Sequence, residues 1–413
     1  MTDTSSDTVN PSVSSGLISK AEFVALVASM MALNALAIDI MVPALNDIGA
    51  AFRLTDANDQ QLVIFAYVLG FGTPQLIWGP ISDRFGRRAI LLYCLIGYAI
   101  CSLLCAHASG FTGFLIARFM MGVFSSACRV VAVSVVRDVY VGRGMAQIMS
   151  MVMTVFMIVP LLAPGMGQLI LLIAPWPWIF FVLVTYSVLV AIWSVFRLPE
   201  TLSPENRKAL NFVTVFSAYK KVVTTRVACG YVLASGVLFG GLFAFIFSIE
   251  QIMREVFAQD HLLGLWFALV VVGIVISNVL NALLVKTYGM RFLSHIAAIL
   301  FTCLGGLNCL LMWQLGPVFP VFMVGMVATF CTIGMMGPNF NAIAMEPLGD
   351  IAGTASAALG FASTTLAGFL GYLISSQYNG TVLPLLLGFT ALGASAVIIL
   401  LVTERGHLFE RHA

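Results

Sequence analysis

Long apolar runs dominate this chain and exclude a soluble fold. Sixty per cent of the 413 residues are hydrophobic and 9% are charged, and the mean hydropathy is +1.02. A helix needs about 20 mostly apolar residues to cross the hydrocarbon layer, because unsatisfied backbone groups cannot face lipid. The runs here have that length and do not alternate in polarity, so they predict helices and not a β-barrel. We therefore predict an all-α membrane protein.

Charged and Pro/Gly-rich breaks divide the apolar runs into twelve predicted transmembrane helices. The spans lie near 21–44, 61–81, 89–107, 111–136, 145–171, 176–196, 227–252, 262–285, 292–314, 317–338, 351–378 and 383–403. The predicted organisation is a disordered tail at 1–20, a six-helix half at 21–196, a linker at 197–226, a second six-helix half at 227–403 and a tail at 404–413. Lys286–Arg291 of the second half weakly repeats a charged string of the first half, which is typical of paired transporter halves.

Basic residues predict the orientation. With the first residues inside, sixteen of the 20 Lys and Arg residues fall on the inner side, and only Arg53 and Arg254 fall outside. Basic loops are retained in the cytoplasm. Both chain termini are therefore predicted to be cytoplasmic.

A charged turn separates the second and third spans. It reads Gly79-Pro80-Ile81-Ser82-Asp83-Arg84-Phe85-Gly86-Arg87-Arg88. Two glycines permit a tight turn, and Asp83 can accept hydrogen bonds from a free helix start. Arg87 or Arg88 can pair with an acid on an adjacent loop, of which Asp138 is the obvious one. Such pairs would hold the inner side in one conformation, whereas basic charge that only sets topology would explain the arginines alone.

Two ionisable residues lie at similar depth inside predicted spans, Asp39 in the first and Arg118 in the fourth. Charges near the bilayer centre cost about 3 kcal/mol or more, so they point to function. We predict a carboxylate that takes up and releases a proton beside a guanidinium that tunes it. The alternative is a static structural pair, or an aspartate that caps a kink at Pro43.

Two further charges have two interpretations each. Arg129 lies toward the inner side of the fourth span, where a long side chain can extend to water or lipid phosphate, or else can line an inner vestibule. Glu250 is expected at a solvated helix end, with a second proton site as the alternative.

The charged turn resembles the cytoplasmic loop between helices two and three of the major facilitator superfamily, whose pattern is roughly G-x-x-x-D-R-x-G-R-R. The segment Pro160–Gly167 contains Pro160, Pro164 and Gly165 and resembles the antiporter motif of that superfamily, with Ala163 where many members have Gly. The resemblance implies the major facilitator fold, with twelve helices in two pseudo-symmetric halves, and it implies gating roles for both segments.

Four strings narrow the resemblance to the Bcr/CflA branch of proton-coupled drug exporters: Asp39–Pro43, Tyr67–Pro80, Val136–Tyr140 and Asp350–Ala357. This resemblance implies that Asp39 and Arg118 couple protons and that Tyr67 and Gln75 face the substrate pocket. We add Asn34 and Phe245 as predicted pocket residues.

The leading hypothesis is a proton-driven antiporter of the bacterial inner membrane that exports small, largely apolar drugs or metabolites. A proton symporter that imports a metabolite is the alternative, although few polar groups are available to line its pocket. A membrane enzyme or receptor is a third hypothesis, but the five histidines form no H-E-x-x-H pattern and the eight cysteines form no C-x-x-C pair. We expect a small-molecule substrate, protons and lipid as partners, a monomer, and no cofactor, metal or nucleic acid.

Overall fold

The computed structural model describes residues 18–140, 142–202, 205, 207 and 212–409. Within these ranges every regular element is helical. The first half contains α1 (Lys20–Asp39), α2 (Leu45–Ala51), α3 (Leu62–Gly72), α4 (Gln75–Phe85), α5 (Arg87–Ala106), α6 (Phe111–Val139), α7 (Gly142–Ile173) and α8 (Pro177–Arg197). After α9 (Phe212–Thr224), the second half contains α10 (Arg226–Glu255), α11 (Leu263–Tyr288), α12 (Met290–Leu315), α13 (Phe319–Met345), α14 (Ala352–Ser375) and α15 (Leu383–Thr403).

Twelve membrane spans are present in the described chain, as the sequence predicted. Eleven helical segments are long and apolar enough to cross a bilayer, and the twelfth span is the pair formed by α3 and α4. The sequence predicted one straight span there, but the two parts meet at an angle of 47°. Pro74 lies at the break, and a proline lacks the N–H that would continue the helical hydrogen bonds.

Glycines bring the helices of the first half into close contact. On α6, a Cβ at Gly122 would overlap the carbonyl oxygen of Tyr67, and on α3 a Cβ at Gly70 would overlap the carbonyl oxygen of Phe119. Small residues let two membrane helices approach until their backbones touch. The seam between α3 and α6 therefore depends on both glycines.

The two halves repeat one turn. Gly86 joins α4 to α5 with φ +99°, and Gly289 joins α11 to α12 with φ +85°. Only glycine adopts such backbone conformations at little cost. Both turns lie at the end of the bundle that carries the linker, which we call the inner end, and we call the opposite end the outer end.

The halves contact each other along two pairs of helices. Gly165 of α7 lies against Gly264 of α11, and Gly72 of α3 lies against Thr365 of α14. The linker contributes α9, whose Tyr219 hydroxyl donates to the carbonyl oxygen of Leu76 at 2.6 Å. Most of the predicted tail at 1–20, parts of the linker and the last residues of the tail at 404–413 lie outside the described residues.

We predict that Gly122→Ala destabilises the protein, because the new methyl group cannot fit against the backbone of α3. The expected loss is about 1–3 kcal/mol, the usual cost of overpacking. The measurement is the thermal unfolding midpoint in detergent. Gly113→Ala is the control, since that glycine is on the same helix with no atom within 4 Å of an added Cβ. Equal midpoints for the two variants would contradict the predicted role of the seam.

Candidate functional site

Arg118 connects three helices of the first half. Its side chain on α6 is fully buried. Nε donates to the carbonyl oxygen of Val63 on α3 at 3.1 Å, and Nη2 donates to that of Ala37 on α1 at 3.3 Å. The guanidinium also lies 4.7 Å from the ring centroid of Tyr67, a distance at which a cation is attracted to an aromatic face. Nη1 has no hydrogen-bond partner among the described residues.

Asp39 is the last residue of α1. The helix ends here and a 3-10 turn follows over Val42–Ala44, where Pro43 cannot donate a backbone hydrogen bond. The side chain is only 4% exposed. No hydrogen bond or ion pair joins it to any residue that the structure describes.

The direct ion pair that we expected between Asp39 and Arg118 is absent from the described residues. The guanidinium binds backbone carbonyls instead, and one of them belongs to Ala37, two residues before Asp39. The last carbonyls of a helix lack partners within it, so they accept readily from an arginine. Asp39 and the carbonyl group that binds Arg118 therefore lie at the same end of α1, although no ion pair joins the two side chains.

The other predicted pocket residues occupy different environments. Tyr67 is fully buried, and its hydroxyl and the Oδ1 atom of Asn34 have no hydrogen-bond partner in the described chain. Gln75 is buried at the start of α4, where Nε2 donates to the carbonyl oxygen of Phe71 at 3.2 Å. Its Oε1 lies beside Gly360 of α14. Gln75 thus reaches the contact between the halves.

Phe245 lies elsewhere, in the aromatic core of the second half. It is 1% exposed, and its ring centroid is 5.7 Å from that of Phe267 and 4.8 Å from that of Phe330. The phenylalanine is therefore enclosed by its own half. A position in the seventh span does not by itself show which face a residue occupies.

The predicted antiporter segment packs against the end of α1. Pro160 and Pro164 both lie inside the continuous helix α7. A Cβ at Gly167 would overlap the carbonyl oxygen of Ile40 and crowd Pro43, whereas Gly165 contacts Gly264 of the second half. Consequently α7 links the region of Asp39 to the contact between the halves.

The charged turn forms an ion-pair cluster at the inner end. Arg87 is 2% exposed, and its Nε is 3.1 Å from Oδ2 of Asp138, as the sequence predicted, while Nη2 binds Asp83. Asp83 does not cap a helix start as we expected. Glu200 does so, accepting from the backbone N–H groups of Arg87 at 2.9 Å and Arg88 at 3.2 Å.

The remaining parts of this turn differ in their roles. Gly79 lies within α4, so only Gly86 makes the turn. The Arg84 guanidinium lies over the ring of Phe85 at 5.5 Å, and Arg88 donates to the carbonyl oxygen of Val195. Sequence reasoning missed Glu200. The available signal was its position, because Glu200 is the first acid of the polar linker at 197–226.

A second cluster occupies the equivalent place in the second half. Arg291 binds Glu346 at 2.9 Å and Glu404 at 3.2 Å. Glu404, just after the last span, also accepts from the Tyr231 hydroxyl at 2.7 Å. The charged string of this half has no acid of its own, and the end of α15 supplies one. Burial favours a raised pKa for Glu404, but the hydrogen bonds from Tyr231 and Arg291 outweigh it and hold the pKa below its ordinary value.

We predict that Glu404→Gln lowers thermal stability at pH 7 by about 1–3 kcal/mol, the usual worth of hydrogen bonds to a charged group. A depressed folded-state pKa adds stability above the unfolded-state value, and that stability is lost as the pH falls through the folded-state pKa. The gap between wild type and variant should therefore narrow when unfolding is measured from pH 7 to pH 4. Glu346→Gln should cost less, since Glu346 is 41% exposed. A gap that does not change with pH would refute this assignment.

A polar network closes the outer end. The Nε2 atom of Gln61 donates to Oε1 of Gln251 at 3.1 Å and to the carbonyl oxygen of Ser375 at 3.0 Å. Asn58 donates to the carbonyl oxygens of Ser376 at 3.2 Å and Tyr378 at 2.9 Å. Sequence reasoning found none of these residues, because amides at helix ends are common and their partners lie far away along the chain.

Gln168 adds a second outer contact, since it donates to the carbonyl oxygen of Asp260 at 2.7 Å and accepts from the N–H of Gly264 at 2.7 Å. These hydrogen bonds join the two six-helix halves at the outer end, which they hold closed in this structure.

The expectation for one of the two further charges is wrong. Glu250 is not at a solvated helix end: its side chain is 4% exposed and pairs with Nε of Arg254 at 3.0 Å, beside the outer network. The guanidinium of Arg129 lies 5.7 Å from the ring centroid of Phe71 on α3.

Twelve spans in two repeated halves, with charges held inside the bundle, define a polytopic membrane protein with the architecture of a transporter. Residues 25–372 match the sequence model of the Major Facilitator Superfamily. The chain belongs to this family.

Relatives and solved structures agree with this assignment. The bicyclomycin resistance protein homolog of Haemophilus influenzae is 29% identical over 367 residues, which are 88% of this chain and 90% of the relative. The multidrug resistance protein MdtL of Salmonella typhi is 33% identical over 197 residues, 46% of this chain and 50% of the relative. The crystal structure of a D-xylose-proton symporter superposes with a TM-score of 0.73 at 16% identity, covering 92% of this chain and 96% of the other. That structural likeness shows the fold alone.

Proposed function

We propose that the protein is a proton-driven antiporter that exports small, largely apolar drugs or metabolites from the cytoplasm by alternating access. The names of its relatives, a bicyclomycin resistance protein homolog and a multidrug resistance protein, support export of drugs. The proposal places it as a monomer in the bacterial inner membrane with both termini in the cytoplasm. Its partners are a small molecule, protons and the lipid bilayer.

Asp39 is the observation that carries proton coupling. A buried carboxylate is costly unless it is paired or neutralised, and Asp39 has no partner among the described residues while it is only 4% exposed. Taking up a proton removes that cost, and contact with water restores the charge. Exchange of one proton at this site is therefore linked to whether the surrounding helices admit water.

The surroundings of Asp39 explain how one proton would affect the whole bundle. Arg118 holds α1 by the carbonyl of Ala37, and Gly167 of α7 packs against Ile40. Gly165, half a turn from Gly167, touches the second half at Gly264. A change of charge at the end of α1 thus acts where three helices meet and where α7 continues to the interface.

The transport cycle has two states that share these contacts. In the state with the outer side closed, the substrate enters from the cytoplasm while Asp39 releases its proton inward. Opening of the outer network then lets Asp39 take up an external proton as the substrate leaves. Coupling requires only that proton and substrate bind the two states with different affinities.

We predict that Asp39→Asn lowers proton-driven transport about tenfold or more, the scale of a typical coupling free energy, because the amide cannot exchange a proton. The measurement is uptake of bicyclomycin into everted vesicles with and without a pH gradient. Asp47→Asn is the control, since Asp47 is exposed on the same span. Gradient-driven transport that survives in Asp39→Asn would remove Asp39 from the mechanism.

We also predict that locking the outer network stops transport. Gln61→Cys with Gln251→Cys, joined by a short bifunctional thiol reagent in a background without the eight native cysteines, should abolish transport but leave binding from the inner side intact. Each single cysteine with the same reagent is the control. Undiminished transport by the cross-linked protein would show that this end does not open.

A proton symporter is the second candidate, since the fold is shared with a D-xylose-proton symporter. The vesicle experiment separates the two directions. In everted vesicles with an acidic interior, an antiporter accumulates its substrate, whereas a symporter does so only when the proton gradient is reversed.

A further inference from the structure

Arg129 is a cation inside the first half that the proposed proton cycle does not use. It lies on α6 with Arg118, Gly122 and Ser125, and the spacing of four, three and four residues places all of them on one helix face. That face packs against α1 and α3, as the contacts of Arg118 and Gly122 show.

The lipid-facing side of α6 is opposite. Ile116 and Met120 are 61% and 36% exposed and lie more than a quarter turn from the stripe that contains Arg129. Arg129 is nevertheless partly exposed. The accessible space that it reaches is therefore inside the bundle and not in the bilayer.

The guanidinium has no acid to neutralise it within the described chain. It lies over the Phe71 ring at 5.7 Å, and no hydrogen bond or ion pair joins it to any described residue. Arg118, in contrast, is fully buried and donates to two carbonyls. An arginine inside a membrane bundle is costly without a counter-charge or water. An anion that is not part of the chain would supply the counter-charge that Arg129 lacks.

The neighbourhood of Arg129 contains polar groups from both halves. Phe71 precedes Gly72, which touches Thr365 of α14, and the Thr365 hydroxyl is buried without a hydrogen-bond partner in the described chain. Gln75, at the start of α4, reaches Gly360, which is on α14 with Thr365. The second span bends here by 47°, so Phe71, which lies against Arg129, is followed within four residues by Gly72, which touches Thr365, and by Gln75.

We propose that Arg129 binds the carboxylate of an organic acid whose aromatic or aliphatic body packs against Phe71. This inference rests on the proposed transport function and narrows its substrate class from apolar compounds to apolar compounds with one acidic group. A guanidinium binds a carboxylate through two parallel N–H···O hydrogen bonds, and few other groups offer that geometry. Thr365 of the second half and Gln75 of the first half would supply the remaining polar contacts.

The test is binding to purified protein by isothermal titration calorimetry without any proton gradient. The probes are matched pairs of aromatic acids and their primary amides, starting with 2-naphthoate and 2-naphthamide and extending to larger rings. We expect each acid that binds to do so about tenfold or more tightly than its amide, since a site built around a guanidinium without a counter-charge discriminates against the neutral analogue. Arg129→Gln should remove this preference and leave the affinity for the amide unchanged.

Three controls keep the outcome clear. Arg129→Lys should retain part of the preference, because it keeps the charge but not the two-pronged geometry. Arg137→Gln removes one positive charge from an exposed position two turns along α6 and should keep the full preference. Unchanged thermal unfolding of Arg129→Gln would establish that it folds.

The inference is overturned if no pair shows the wild type preferring the acid, or if Arg129→Gln keeps the preference. These outcomes do not depend on proton coupling. Loss of gradient-driven transport in the vesicle experiment bears on the proposed antiport, whereas equal binding of acid and amide bears only on the role of Arg129.

Discussion

The hydrogen bonds of Arg118 to the carbonyl oxygens of Val63 and Ala37 join α6 to α3 and α1 around a fully buried guanidinium. A guanidinium in a membrane bundle must find acceptors within the protein, since lipid offers none. The end of α1 provides one, because the last carbonyls of a helix lack internal partners. The break in α1 that leaves this carbonyl free for Arg118 directly follows Asp39, whose side chain has no partner in the described chain.

Close glycine contacts extend this arrangement through the bundle. Gly122 lets α6 touch α3, Gly167 lets α7 touch the end of α1, and Gly264 of the second half lets α11 touch α7 at Gly165. Backbones in direct contact cannot adjust independently. The end of α1 at Asp39 is therefore connected to the interface between the halves through close backbone contacts.

The ends of the bundle are held by different chemistry. At the inner end, charged clusters around Arg87 and Arg291 lie within single halves, so they can persist while the halves move. At the outer end, amides such as Gln61 and Gln251 bridge the halves directly. Neutral hydrogen bonds are individually worth only about 0.5–1.5 kcal/mol, so each of these contacts between the halves is weak by itself.

The sequence alone determined the twelve spans and the two halves, and it identified Asp39, Arg118 and the charged turn as candidate functional residues, because apolar length and rare charges are local properties of a chain. The ion pair between Arg87 and Asp138 was also predictable, since the two residues have opposite charges and lie at the inner ends of neighbouring helices. Tertiary structure decided the rest. The separation of Asp39 from Arg118, the burial of Glu250, the enclosure of Phe245 and the inward direction of Arg129 depend on how each helix is rotated about its axis. That rotation is set by packing against neighbours, which a membrane sequence that is apolar on nearly every helix face does not specify.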